Sequence, residues 1–131
     1  MNVGQRTEAV ILAELVKRGH RVLVPFGANH RYDFVVDSGE RFLRIQCKTG
    51  RLRRGVIHFN AQSIRSNSRT VQRRSYKGEA DVFAVYCPDP DRVYALSVEE
   101  ATRTLGTLRV DSPANGQRKG IRWAADYELP A

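Results

Sequence analysis

Residues 31–48 hold two alternating stretches, RYDFVVD and RFLRIQCK, on either side of Ser38-Gly39, and they constrain the chain more than any other feature. Alternation of polar and apolar residues has the period of a β-strand, and a Ser-Gly centre between two such runs reads as a tight hairpin. With Ser38 and Gly39 as a two-residue loop, Asp37 faces Glu40, Asp33 faces Arg44, and Gln46 lies diagonal to Asp33. Phe34, Val36, Leu43, Ile45 and Cys47 then share an apolar face, while Asp33, Arg44, Gln46 and Lys48 share the other. The division into two faces is firmer than the pairing, which a bulge would offset.

The hairpin is preceded by a helix over Gly4–Arg18, where Ile11, Leu12, Leu15 and Val16 recur at helical spacing and Gly19 supplies a left-handed cap. His20–Pro25 reads as a short strand. After the basic turn Thr49–Gly55 comes a strand over Val56–Phe59. The polar, arginine-rich stretch Asn60–Lys77 reads as a short helix followed by a mobile loop. Ala80–Cys87 is almost continuously apolar, as a buried central strand is, and Val93–Leu96 is its neighbour after the turn Pro88–Asp91. Ser97 with Glu100 forms a capping-box pattern that predicts a helix ending near Gly106. The tail holds a loop, Ser112–Gly120, and a last segment with Ile121, Trp123, Ala124 and Tyr127. Alternating strand and helix signals of this kind point to an α/β fold, and 131 residues suit one domain over 1–131.

Lys and Arg number 22 against 14 Asp and Glu, giving a formal charge of +8, so the surface carries a field that attracts polyanions. Most of the excess is arginine, whose planar fork suits phosphate. Cys47 and Cys87 sit in apolar runs without zinc spacing, and His20, His30 and His58 lack it too; His30 is the best placed for substrate, leading into the Asp33 strand. The apolar runs fall short of a membrane span and Met1 is not followed by a signal core, so no membrane partner and a reducing, cytoplasmic setting are expected.

Glu8 lies three, four and seven residues before Ile11, Leu12 and Leu15, which extends the core-directed stripe of the helix to a carboxylate. Alone it has an ordinary reading, a helix-end glutamate satisfied by the dipole or an arginine. Asp33 alone reads equally well as part of an exposed hairpin face. The combination is less ordinary, because Glu8, Asp33, Gln46 and Lys48 together suit phosphodiester cleavage. That reaction needs a cation to offset charge, an activated water and stabilisation of a pentavalent transition state. Hard divalent ions prefer oxygen, which Glu8, Asp33, the Gln46 side chain and the backbone carbonyl of Cys47 can supply, with Lys48 beside them as a point charge.

At these residues the sequence resembles the PD-(D/E)XK nucleases, and among them intron-encoded homing endonucleases and archaeal Holliday-junction resolvases. The resemblance runs through GQRTEAVILAELVKRGHRVLVPFG, RYDFVVD, FLRIQCKTG, YKGEADVFAVYC and IRWAADYEL. It implies a restriction-endonuclease-like three-layer α/β fold, with a central mixed sheet flanked by helices. It also assigns Glu8 to the helix glutamate, Asp33 to the motif aspartate, Gln46 to the (D/E) position and Lys48 to the catalytic lysine. Magnesium is the implied cofactor, with manganese as its substitute, and a homodimer or homotetramer the implied assembly. Tyr32 stands where the motif has proline, and Gln46 where many relatives have an acid; a neutral amide is a weaker metal ligand.

Double-stranded or branched DNA is the expected partner. Arg51, Arg53 and Arg54, directly after Lys48, are the expected phosphate contacts, together with Arg65, Arg69, Arg73, Arg74 and Lys77. Asn60, Gln62 and Asn67 are candidates for base edges, and Asp81 for a supporting carboxylate. The leading expectation is a site-specific DNA endonuclease of the homing or restriction type. A junction resolvase is the alternative within the same chemistry. A DNA-binding module on a nuclease scaffold, disabled at Gln46, is the alternative outside it.

Overall fold

In the computed structural model, which describes residues 2–101, 104–111, 115–116 and 120–129, the chain opens with helix α1, Val3–Lys17. Asn2 caps it reciprocally: its side chain accepts from the Gln5 N–H at 2.8 Å, and Gln5 Oε1 accepts from the Asn2 N–H at 3.1 Å. Gly19, at φ 82°, turns the chain out of the helix. Ten strands follow among the described residues: β1 (Arg21–Leu23), β2 (Phe34–Asp37), β3 (Phe42–Thr49), β4 (Arg51–Arg53), β5 (Val56–Asn60), β6 (Gln62–Ser66), β7 (Val71–Ser75), β8 (Val82–Cys87), β9 (Arg92–Ser97) and β10 (Leu105–Arg109).

The central sheet has the order β1-β2-β3-β8-β9 and is mixed, since β3 and β8 run parallel while its other pairs are antiparallel. Both faces of β8 are covered, which is why its sequence is apolar throughout. Ala84 joins Ile11, Leu15, Phe34, Val36, Ile45 and Cys47 beneath α1. Phe83, Val85 and Cys87 face the other way, into a larger core with Ile57, Phe59, Leu96 and Leu108. The layers are therefore helix, mixed sheet, and a second sheet of order β10-β5-β4; among the described residues the second flanking layer is β-structure where helix was expected.

Three local expectations are corrected. The β2–β3 loop is four residues long, so Asp37 pairs with Phe42 and Phe34 with Ile45, a register two residues away from that of a two-residue loop. The Asp37 carboxylate accepts from the Gly39 N–H and the Ser38 N–H donates to the Arg41 carbonyl, which closes this wider turn. An even shift keeps every side chain on its face, so the apolar and polar sets remain as expected. Residues 60–77 form no helix: β6 and β7 pair as a hairpin around an Asn67 turn whose side chain accepts from the Arg69 and Thr70 N–H groups. The residues after Ser97 make one short 3-10 turn, Val98–Glu100, capped through the Glu99 N–H, and the chain then re-enters sheet as β10. A capping pattern starts a turn; it needs an apolar stripe beyond it to continue as helix.

Gly106 lies opposite Phe59 in the β10–β5 pair, with the ring folded over it. A Cβ on Gly106 would meet three Phe59 ring atoms at 2.2–2.7 Å, and Phe59 is buried. Gly106→Ala is expected to lower unfolding stability by about 1–3 kcal/mol through overpacking. Urea denaturation measures it, and an unchanged midpoint would show that the ring yields freely.

Candidate active site

Asp33 sits just before β2, where the sheet opens. Its N–H donates to the Ile45 carbonyl at 2.7 Å, and its Oδ2 accepts from the Cys47 N–H at 2.8 Å. The carboxylate thus stands in for a strand residue that β2 does not supply, since the β2–β3 pairing ends at Phe34 and Ile45. From the helix side, Thr7 and Thr49 hydroxyls meet at 2.6 Å and tie α1 to the end of β3. That tie brings the next helical residue, Glu8, onto Asp33. Burial, the Asp33 charge and a hydrogen bond shared with Asp33 push the Glu8 carboxyl above its ordinary range.

The remaining residues follow from the alternation of β3. Cys47 turns into the core under α1, and burial pushes its thiol far above the ordinary range, so it is inert as a nucleophile. Gln46 and Lys48 point to the opposite side. The Gln46 Nε2 donates to the Cys47 carbonyl at 3.3 Å. Lys48 Nζ donates to the Tyr76 hydroxyl at 3.0 Å and lies 4.6 Å from the centre of that ring.

This donor set fits a hard divalent cation. Burial is the largest cause of the raised Glu8, and repulsion from the Asp33 carboxylate adds to it; a divalent cation between the two would offset that repulsion. Asp33 keeps one oxygen unengaged by Cys47, and the Cys47 carbonyl holds only a side-chain amide that offers its own oxygen on rotation. No group of three or more His, Cys, Asp or Glu residues arranged for a metal occurs among the described residues. Within the candidate set, Glu8 and Asp33 supply carboxylate oxygens and the Gln46 side chain and Cys47 carbonyl neutral ones, a mixture that a hard divalent cation accepts.

The structure sets Glu8 against Asp33, Asp33 on the Cys47 N–H, and the Gln46 amide on the Cys47 carbonyl; Lys48 follows on β3 with its ammonium directed to Tyr76. It also brings in two residues with no role in the site assigned from sequence, Tyr76 and Arg31. Tyr76 is buried beside Lys48, and the Arg31 guanidinium lies 4.2 Å from the centre of its ring while donating to Glu79, Ser63 and the Ser75 carbonyl. The signal for Arg31 was its place two residues before Asp33 in an extended run; Tyr76 was the aromatic residue closing a polar stretch. Asp81 is corrected as a supporting carboxylate: it takes the Arg44 N–H and guanidinium, and those bonds hold it below its ordinary range.

Of the basic residues, Arg51 and Arg53 are exposed on β4, and Arg54 with Gly55 makes the β4–β5 turn, both at positive φ. Arg69 lies in the exposed β6–β7 turn. Arg73 and Arg74 face opposite sides of that hairpin, and Arg74 pairs with Glu79. Lys77 is exposed, 3.8 Å from Glu99. The Arg65 side chain lies outside the described residues. Among the base-edge candidates, Asn60 ends β5 beside the site, Gln62 begins β6, and the Asn67 side chain is used by its own turn. His30 is bonded to the Phe26 carbonyl within its own loop.

The sequence profile of the PD-(D/E)XK endonucleases matches residues 1–130. Among solved structures, a bacterial homing endonuclease, I-Ssp6803I, superposes with a TM-score of 0.73 at 22% identity, covering 95% of this chain and 85% of that one. No curated protein sequence matches the chain. The structural likeness shows a shared restriction-endonuclease-like fold, and the profile match covers nearly every residue. The chain belongs to the PD-(D/E)XK endonuclease family, and is a DNA endonuclease.

Proposed function

We propose that residues 1–131 act as one domain that cuts DNA at specific sites, in the manner of a homing or restriction endonuclease, with magnesium bound by Glu8, Asp33, Gln46 and the Cys47 carbonyl. Glu8 facing Asp33, with Asp33 held on the Cys47 N–H between Gln46 and Lys48 in the β3 sequence, carries this reading. When bound, a divalent cation offsets the charge of the phosphodiester and makes water a stronger acid; manganese is the expected substitute. Lys48 donates to the phosphoryl oxygens, whose charge grows as water attacks, and Tyr76 fixes the direction of its ammonium. Arg51, Arg53 and Arg54 bind the flanking phosphates, assisted by Arg65, Arg69, Arg73, Arg74 and Lys77 on and beside the β6–β7 hairpin. One such site cuts one strand, so a homodimer or homotetramer supplies the second cut.

The test is plasmid and four-way-junction cleavage against magnesium concentration, with calorimetry of magnesium uptake in the presence of DNA. Cut plasmid, abolished by a chelator, is the expected result. Preference for the junction would redirect the reading to a resolvase. Intact DNA at every magnesium and manganese concentration, with binding but no ion uptake, would leave a DNA-binding module.

A further inference from the structure

The β4–β5–β10 sheet turns Leu52, Ile57, Phe59 and Leu108 into the core and leaves its other face outward. The register places Arg51 and Arg53 of β4, Val56, His58 and Asn60 of β5, and Leu105, Thr107 and Arg109 of β10 on that outer face. None of these is acidic, although the chain holds 14 carboxylates. The arrangement across the strands is ordered: the outer strands carry the arginines, and the middle strand carries His58 and Asn60.

This face is continuous with the active site. One cleft of about 600 Å³ is lined by Lys48, Arg51, Arg53, His58, Asn60 and Leu105. His58 Nδ1 is buried and has no hydrogen-bond partner among the described residues, so no bond on that nitrogen fixes the ring as it lines the cleft. A duplex whose scissile phosphate lies at Lys48 must continue over this surface on one side of the break.

We infer that the outer face of β4, β5 and β10 is a docking face for duplex DNA on one side of the cleaved bond, with Arg51, Arg53 and Arg109 on phosphates and His58, Asn60 and Thr107 toward base edges. The inference rests on the endonuclease reading and extends it to His58, Asn60, Thr107 and Arg109. Dimensions agree with it: two strand spacings measure about 10 Å, and the major groove is about 12 Å wide. Cationic edges around a hydrogen-bonding centre match the order in which a groove presents phosphates and bases.

Fluorescence anisotropy with a 30-bp duplex pool of randomised centre, in magnesium-free buffer over a salt series, tests the face apart from catalysis. Arg51→Ala, Arg53→Ala and Arg109→Ala are each expected to weaken binding threefold to tenfold, and to reduce the log K against log salt slope by about 0.9. Lys17→Ala and Arg41→Ala are the controls. Both are exposed, and Lys17 lies about 20 Å along the helix from Val3, which borders the cleft; they should change neither quantity. Selection from the same pool should show that His58→Ala and Asn60→Ala relax preference over a few adjacent base pairs while keeping the slope. Equal behaviour of face and control variants would overturn the docking face, and an unchanged or absent preference its base-facing centre. Binding is read here without magnesium and without cleavage, so a wild type that binds with the expected slope yet cuts nothing when magnesium is added overturns the catalytic reading and leaves the docking face standing.

Discussion

Lys48→Ala is expected to slow DNA cleavage by about 10²- to 10³-fold, the usual effect of removing one preorganised donor from a developing oxyanion, while duplex affinity stays within about twofold. The ammonium is held at 3.0 Å from the Tyr76 hydroxyl and beside its ring, so it sits in a fixed direction before substrate arrives. Its charge acts most strongly where phosphoryl charge grows, which places the loss in kcat and leaves binding to the arginines. Tyr76→Phe gives a smaller companion effect. It keeps the buried ring and removes the hydrogen bond, so a roughly tenfold fall in kcat is expected with KM and Tm nearly unchanged. Lys48→Arg should not restore the rate, because a planar fork cannot occupy the position of a compact ammonium. Single-turnover cleavage with saturating magnesium checks these values. Activity of Lys48→Ala within threefold of wild type would remove the lysine from the chemistry.

The elements that were legible in the sequence are those whose two faces differ. Phe34, Val36, Ile45 and Cys47 alternate with Asp33, Arg44, Gln46 and Lys48 because the hairpin has core on one side and the cleft on the other. That contrast survives the two-residue error in register, since an even shift moves no side chain across the sheet. The helix was legible for the same reason, from Ile11 and Leu15. Residues 62–75 were illegible as sheet because the β7 side chains are almost all exposed, so neither face needs apolar residues and no period is written. At β10 the pattern misleads: Leu105 is exposed, Gly106 is buried under Phe59, and the strand owes its place to a neighbour rather than to its own alternation. Within the site, the polar set on β3 could be read from spacing, whereas Tyr76 reaches Lys48 only because of how the chain returns after β7. Contacts of that kind follow from topology and leave no local mark.

Glu8→Gln is expected to abolish most cleavage and yet make the protein more stable in magnesium-free buffer near neutral pH. Burial and the facing Asp33 carboxylate raise the Glu8 pKa above its ordinary value of 4.5, so the ionised side chain opposes folding. The sign follows from linkage: protonated Glu8 favours the folded state below about pH 4.5, and that advantage disappears as pH rises through the higher folded-state pKa. A neutral amide of the same shape donates an N–H to Asp33, as protonated Glu8 does, without the repulsion. The gain in Tm is held to a few degrees by the partial exposure of the site, grows as pH rises through the folded-state pKa, and vanishes in acid where wild-type Glu8 is itself neutral. Magnesium should reverse the order, stabilising wild type by mass action and the variant hardly at all. Cleavage should fall by about 10² or more, since a second amide in place of the Glu8 carboxylate, beside Gln46, would leave Asp33 as the one charged ligand. Thermal melts at pH 4 and pH 7, each with and without magnesium, give four values that must follow this pattern. A variant less stable than wild type at pH 7 without metal would mean that Glu8 holds the helix in place through some other contact and is not kept there, against its own electrostatics, for the sake of a cation.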